Sequence, residues 1–167
     1  MKLFLHDLPE DDFERLLPNP PAGCKIISDD GSIHPCPGCF GCWIKTPGAC
    51  VIRNRYGDMG ELLSQSDAVT VVSRCFYGGF SPFVKNVIDR SIPYLHPYFT
   101  VRGGEMHHRH RYDNIFDLSV YFYGNDISAD EKRTAEKLVG TNAKNFDCSV
   151  RGVSFFRDAA EMEGRIL

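Results

Sequence analysis

Hydrophobic residues along the chain gather into short, separated runs. Residues 2–6, 25–28, 68–73, 116–123 and 149–155 are rich in β-branched or aromatic side chains and are bounded by polar or glycine-rich positions, so they read as five strands. Between them the pattern predicts helices over 10–17, 57–65, 82–90 and 128–139, the last opening on Ser128 as N-cap with Glu131 at the capping-box position. Strands alternating with helices imply right-handed crossovers and a parallel sheet covered on both faces. The run Ala68-Val-Thr-Val-Val-Ser73 is almost continuously apolar, as a central parallel strand requires. Ligands of such sheets sit beyond the carboxyl ends of the strands, which directs attention to the loops after His6, Ser73 and Tyr123.

The stretch Pro18-Asn-Pro-Pro21 ends the first helix, because proline lacks an amide donor and disfavours helix in the residue before it. Residues 29–55 are too polar and too rich in Gly, Pro and Cys to form a strand or a helix, and a connection of that length is usually functional. With 167 residues and 43% hydrophobic content, the chain is long enough to build one core without staples, so a single domain over 1–167 is expected. The amino-terminal segment reaches Asp7 without the apolar run of a signal peptide or membrane span, and the expectation is a cytoplasmic protein that does not enter the membrane.

A net charge of −3 excludes a globally basic nucleic-acid binder. Locally the charges separate: Asp7, Glu10, Asp11, Asp12 and Glu14 crowd the amino-terminal segment, while Arg102, Arg109 and Arg111 cluster later and would attract an anion. The cysteines number seven, and four of them fall within fifteen positions as Cys36-x-x-Cys39-x-x-Cys42-x7-Cys50. An odd count in a crowded loop suits neither a disulfide framework nor a secreted mini-protein. Metal binding, redox chemistry and plain packing all stay open for it.

The cysteine loop with Trp43-Ile-Lys-Thr-Pro-Gly48, followed by Ser73-Arg-Cys-Phe-Tyr-Gly-Gly-Phe-Ser-Pro-Phe-Val-Lys-Asn-Val-Ile-Asp-Arg90, resembles the NADPH-dependent FMN reductase branch of the flavodoxin-like flavoproteins over roughly residues 30–125. The resemblance implies a flavodoxin-like α/β three-layer sandwich with a five-stranded parallel sheet in the order 2-1-3-4-5. It also implies FMN, with Ser73, Arg74, Phe76, Tyr77, Gly78 and Gly79 walling the flavin ring. Glycine in such a loop lets the backbone approach a flat ring closely, although a tight turn alone would also explain it. Iron–sulfur flavoproteins, another branch, hold a [4Fe–4S] cluster on four closely spaced cysteines. Cys36, Cys39 and Cys42 keep the x2, x2 spacing of such loops, whereas the gap of seven to Cys50 is long; a loop without metal is the leading expectation, and zinc is disfavoured because its four-cysteine sites space their ligands as separated pairs.

The pattern breaks after the first strand. The flavoproteins place FMN phosphate there in a Ser/Thr- and Gly-rich turn, whose amides and helix N-terminus attract the anion. This chain has His6-Asp-Leu-Pro-Glu-Asp-Asp-Phe instead, and its carboxylates would repel phosphate at a cost on the order of several kcal/mol. Residues 92–113 form an insertion dense in aromatics, histidines and arginines, a composition favoured at interfaces, which makes a homodimer the expected assembly. His107, His108 and His110 within it follow one another too closely for their rings to converge readily on a metal. The function expected is a flavin-dependent NAD(P)H oxidoreductase with no side chain acting as acid or base. A non-catalytic flavodoxin-like subunit that has lost its phosphate site and a [4Fe–4S] electron carrier are the alternatives.

Overall fold

The computed structural model describes residues 1–166. In chain order it forms β1 (Lys2–His6), α1 (Glu10–Leu16), β2 (Lys25–Ile27), α2 (Gly41–Ile44), α3 (Met59–Ser64), β3 (Ala68–Arg74), α4 (Pro82–Asp89), β4 (Leu95–Arg102), β5 (Glu105–His110), β6 (Asp117–Tyr123), α5 (Ala129–Phe146), β7 (Ser149–Phe156) and α6 (Ala159–Met162). A short 3-10 turn, Ile92–Tyr94, leads into β4.

Five strands build one parallel sheet in the order β2-β1-β3-β6-β7. With the β4–β5 hairpin set aside, this is the 2-1-3-4-5 order expected from the sequence. Alternation along each strand divides the apolar side chains between two cores. Leu3, Leu5, Val69, Val71 and Val120 meet α3, α4 and α5 on one face. Phe4 and Val72 meet Leu16 of α1 and Met162 of α6 on the other. Three layers result because β3, at the centre, buries both of its faces.

The helix starts follow local chemistry. Ser81 caps α4, accepting from the Val84 N–H at 3.4 Å, and Pro82 takes the first helical position, where its missing donor costs nothing. Ser128 and Glu131 close the capping box of α5, with the Ser128 N–H donating to Glu131 Oε2 at 2.9 Å. That helix runs past the expected end at 139 to Phe146. Ala135, Val139 and Ala143 keep the helical spacing across Gly140, and the helix stops where Asp147 turns left-handed.

Besides the short helix α6, which the sequence pattern does not announce, two segments differ from the sequence expectation. The cysteine-rich connection contains a helical turn, α2, held because the Trp43 indole N–H donates to the Leu95 carbonyl at 2.9 Å. The aromatic and basic insertion folds into an antiparallel hairpin, reversed at Gly103 and Gly104. Both glycines have positive φ, which a two-residue hairpin turn demands. Arg102 pairs with Asp147 at 2.9 Å and Lys144 with Glu105 at 3.1 Å, tying the hairpin to the end of α5. Among the described residues, no helix is long and apolar enough to cross a membrane.

Candidate functional site

The carboxyl ends of β1, β3 and β6 converge on Asp7. Its carboxylate accepts from the Arg74 N–H at 2.9 and 3.2 Å, and the hydroxyls of Ser81 and Tyr123 are directed at it as well. Burial pushes the Asp7 pKa up, and these donors pull it back only in part. Tyr123 is pushed up in turn, first by burial and then by the neighbouring Asp7 charge. The amino-terminal acids therefore separate into two groups. Asp7 turns into the sheet edge, while Glu10, Asp11 and Asp12 form the first turn of α1, where they favour the positive end of the helix dipole.

His6, one residue earlier, is almost fully buried and stacks on Phe13 of α1, with centroids 4.1 Å apart and planes within 5°. Neither ring nitrogen makes a well-formed hydrogen bond. Burial brings the imidazole pKa down to about 4, the Leu8 backbone offsetting that only in part, so the ring is neutral near pH 7. Between β1 and α1 there are only Asp7, Leu8 and Pro9, without the glycine-rich amide cradle a phosphate needs.

The loop after β3 is a tight, internally satisfied turn. Ser73 is buried; its hydroxyl accepts from the Ser81 N–H at 2.9 Å and donates to the Arg74 carbonyl at 3.0 Å. Phe76 and Gly79 exchange both backbone hydrogen bonds, at 3.0 and 2.7 Å, around Tyr77 and Gly78, which both have positive φ. The Gly78 N–H is directed at the Cys75 sulfur. A Cβ on Gly78 would lie 2.7 Å from Thr134 Cβ and 2.8 Å from the Glu131 carbonyl oxygen, so this glycine serves close packing on α5. The aromatic groups point outward: Phe76 is 40% exposed, with the Arg74 guanidinium 5.4 Å from its ring centroid, and Tyr77 is 90% exposed. The six residues of the loop named from the sequence thus share one turn, with its amides facing inward and its rings facing solvent.

The cysteine loop forms a second centre. Cys36, Cys39, Cys42 and Cys50 line one small pocket together with Arg90, Ile92 and Pro93. Cys42 and Cys50 are buried and Cys39 is exposed. The Cys42 thiol is pushed up by burial and then by Cys50, Cys36 and Cys39, so all four sulfurs are electrostatic neighbours. Arg90, at the end of α4, is 1% exposed; its Nη2 donates to the Ile52 carbonyl at 2.8 Å, while Nε and Nη1 are buried without a partner. The loop backbone is shaped for this enclosure: Phe40 adopts a left-handed φ of 53°, and a Cβ on Gly41 would lie 2.6 Å from Val51 Cγ1. Among the described residues, no three or more His, Cys, Asp or Glu side chains are grouped so as to hold a metal ion.

The basic insertion disperses its charges. Arg111 Nε donates to the Pro93 carbonyl at 2.9 Å and bridges the crossover, and Arg102 is engaged by Asp147. Arg109 is left exposed beside the cleft that His96 and His110 line. The histidines do not converge. His107 lies between Glu105 and Asn145, His108 packs on Trp43 and Phe99, and His110 meets Asp147 at 3.2 Å. Sequence reasoning passed over Arg90 altogether, although a basic residue closing an apolar helix one turn before the cysteine-loop contacts was a visible signal.

The parallel sheet and its order define a flavodoxin-like α/β protein, with the candidate site at the strands' carboxyl edge. Solved structures of similar fold include the NADPH-quinone reductase from P. pentosaceus, with a TM-score of 0.56 and 11% identity over 93% of this chain and 84% of that one. An azoreductase aligns with a TM-score of 0.55 and 8% identity, covering 93% and 85% of the two chains. The FMN-dependent NADH-azoreductase from Bacillus anthracis, solved in complex with FMN, aligns with a TM-score of 0.52 and 9% identity over 93% and 85%. By sequence, the chain is 35% identical over 72 residues to the iron-sulfur flavoprotein of Archaeoglobus fulgidus, a match covering 43% of this chain. It spans about a third, 32%, of that curated relative's length. No family model matches the chain.

Asp7 gives the site a pH signature. An acid whose pKa is higher folded than unfolded favours folding while it is protonated, and that contribution is lost as pH rises through the folded pKa. Asp7→Asn carries no such charge and keeps an acceptor for the Arg74 N–H. The stability of wild type relative to Asp7→Asn should fall as pH rises from about 4, the unfolded carboxylate value, and level off once pH has passed the folded value. Urea unfolding across that range measures it, and a difference that stays constant with pH would rule out an ionising buried Asp7.

Proposed function

We propose that the chain is an oxidoreductase of the flavin-dependent NAD(P)H reductase kind that engages flavin by its ring and not by its phosphate. The observation that carries this reading is the contrast at the sheet edge. Phe76 and Tyr77 are held outward on a rigid turn, while the turn after β1, where the resemblance implies a phosphate site, carries the Asp7 carboxylate. The residues fit an isoalloxazine face, on which exposed aromatic rings stack favourably, and they do not fit a phosphate anion. The shared fold and the 72-residue similarity to an iron-sulfur flavoprotein support the same chemistry.

A bound flavin supplies hydride chemistry with a nicotinamide donor, and the protein's part is to orient it. Phe76 and Tyr77 would offer the stacking surface, the Arg74 guanidinium beside Phe76 would add positive charge at the same edge, and the Asp7 carboxylate would offer a phosphate no favourable contact. FMN and riboflavin should therefore bind within about threefold of each other, since tenfold tighter binding corresponds to only ~1.4 kcal/mol and a seated phosphate would exceed that. Flavin fluorescence titration tests this. Tenfold or greater preference for FMN would reject the missing phosphate site, and no quenching by either flavin at micromolar protein would reject the flavin reading itself.

The hairpin supports a homodimer. Phe99 opposes His108 and Val101 opposes Met106, so these four side chains share one face. Its base packs on Trp43 through His108, and its tip leaves Val101 and Met106 about 70% exposed. A second copy would bury that tip. The double variant Val101→Asp, Met106→Glu is expected to sediment as a monomer while wild type sediments as a dimer; a monomeric wild type at micromolar concentration would contradict the assembly.

A further inference from the structure

Alternation along the β4–β5 hairpin gives it two unlike faces. Phe99 and Val101 of β4 belong to the apolar one, with His108 and Met106 opposite them on β5. Tyr98, Thr100 and Arg102 take the other face, where with His96, Arg109, His110 and Asp147 they line an open cleft of about 570 Å³. That volume suits a small organic ligand. The cleft is far from the turn at Phe76. Gly78 of that turn packs on Thr134 in the first half of α5, whereas Asp147 caps the same helix at its other end, roughly 20 Å further along the axis at the ordinary helical rise.

Charge around the cleft is unbalanced. Asp147, the acid in its lining, is committed to Arg102 at 2.9 Å and to His110 at 3.2 Å. Arg102 also donates to the Lys144 carbonyl at 3.2 Å, and its Nε is buried without a partner. Among the described residues, neither Arg109 nor Arg111 pairs with a carboxylate. Arg109 is exposed, and Arg111, behind the cleft, donates to the Pro93 and Leu95 carbonyls, which leaves its charge unneutralised. Both guanidiniums act on His96: after burial, the Arg111 and then the Arg109 charge lowers its pKa. Two positive charges that converge on one imidazole without a counter-charge favour an anion there.

An aromatic surface accompanies the charge. Tyr98 is 64% exposed, and its ring lies 5.8 Å from that of His96 with the planes 37° apart. A planar base stacks on such a ring, and the fork of a guanidinium matches the oxygens of a phosphate. Thr100 adds a hydroxyl between the two. We propose that this cleft binds a nucleoside phosphate, with the base on Tyr98 and the phosphate at Arg109 and His96. An inorganic anion would meet only the charged part of the lining, and a nucleoside only the aromatic part. The site stands apart from the flavin reading, which concerns the other end of α5.

The test uses the full chain without flavin at low ionic strength. Calorimetry follows ADP, pyrophosphate and adenosine, and nuclear magnetic resonance follows the His96 ring, assigned with His96→Gln. ADP should bind about fivefold more tightly than pyrophosphate, adenosine more weakly than either, and ADP should move the His96 signals. Arg109→Gln should weaken ADP about tenfold, through loss of one charge-assisted contact. Tyr98→Ala should weaken ADP about fivefold and leave pyrophosphate unchanged. Both positions are exposed, so neither variant threatens the core. Flavin quenching should stay at the wild-type level in both, and a variant that lost flavin and ADP together would overturn a separate site. Pyrophosphate binding as tightly as ADP would reduce the cleft to a charged surface and overturn the proposal. ADP affinity unchanged in Arg109→Gln, or no heat and no His96 shift at millimolar ADP, would overturn it as well.

Discussion

The Asp7 carboxylate, seated 2.9 Å from the Arg74 N–H, joins the two strands at the middle of the sheet where both chains leave it. A parallel sheet ends in a row of backbone donors and acceptors that must be satisfied by loops, ligands or water. Here β1 supplies its own anion to that edge. The consequence runs in two directions. Inward, Asp7 orders the start of the β3 loop and draws Ser81 and Tyr123 toward one centre. Outward, it leaves a carboxylate, and no glycine-rich run of amides, in the turn after β1. The short connection through Leu8 and Pro9 and the stacking of His6 on Phe13 follow from that economy of space.

The same edge holds two environments of opposite charge demand. Around Asp7, donors gather on a buried carboxylate. Around Arg90, a buried guanidinium at the wall of the cysteine pocket donates to a single carbonyl. The two are linked through α4: Ser81, at its N-cap, is directed at Asp7, and Arg90 closes its other end. One short, well-buried helix therefore spans the distance between the turn that carries Phe76 and Tyr77 and the cysteine pocket.

Much of this arrangement was legible along the chain, and the parts that were not share a cause. All five sheet strands and the capping of α5 announce themselves through local pattern: β-branched runs, alternation, and a Ser and Glu at capping-box spacing. The β4–β5 hairpin was hidden because Arg102-Gly-Gly-Glu105 lies among histidines and arginines whose polarity masks the alternation. The helical turn α2 was hidden because a tertiary hydrogen bond from Trp43, and no helix propensity of its own, holds Gly41–Ile44 in shape. In the site, the aromatic turn at Phe76 and Tyr77 and the crowding of the cysteines could be read directly. The inward turn of Asp7 could not, since Glu10, Asp11 and Asp12 are equally acidic and differ from it only in which way the backbone carries them.

The sequence by itself determined the five sheet strands and the four helices α1, α3, α4 and α5 between them, the acidic and glycine-free turn after β1 and the presence of four closely spaced thiols, because each is set by residue type and by spacing of a few positions. Only the tertiary structure decided which acid is buried, that the glycine at position 78 serves packing on α5, and that Arg90, 40 residues from Cys50 in the chain, lies against the same pocket as the cysteines. Burial and the pairing of charges are properties of what surrounds a side chain in space. They emerge only when the crossovers of a parallel sheet bring distant segments to one edge.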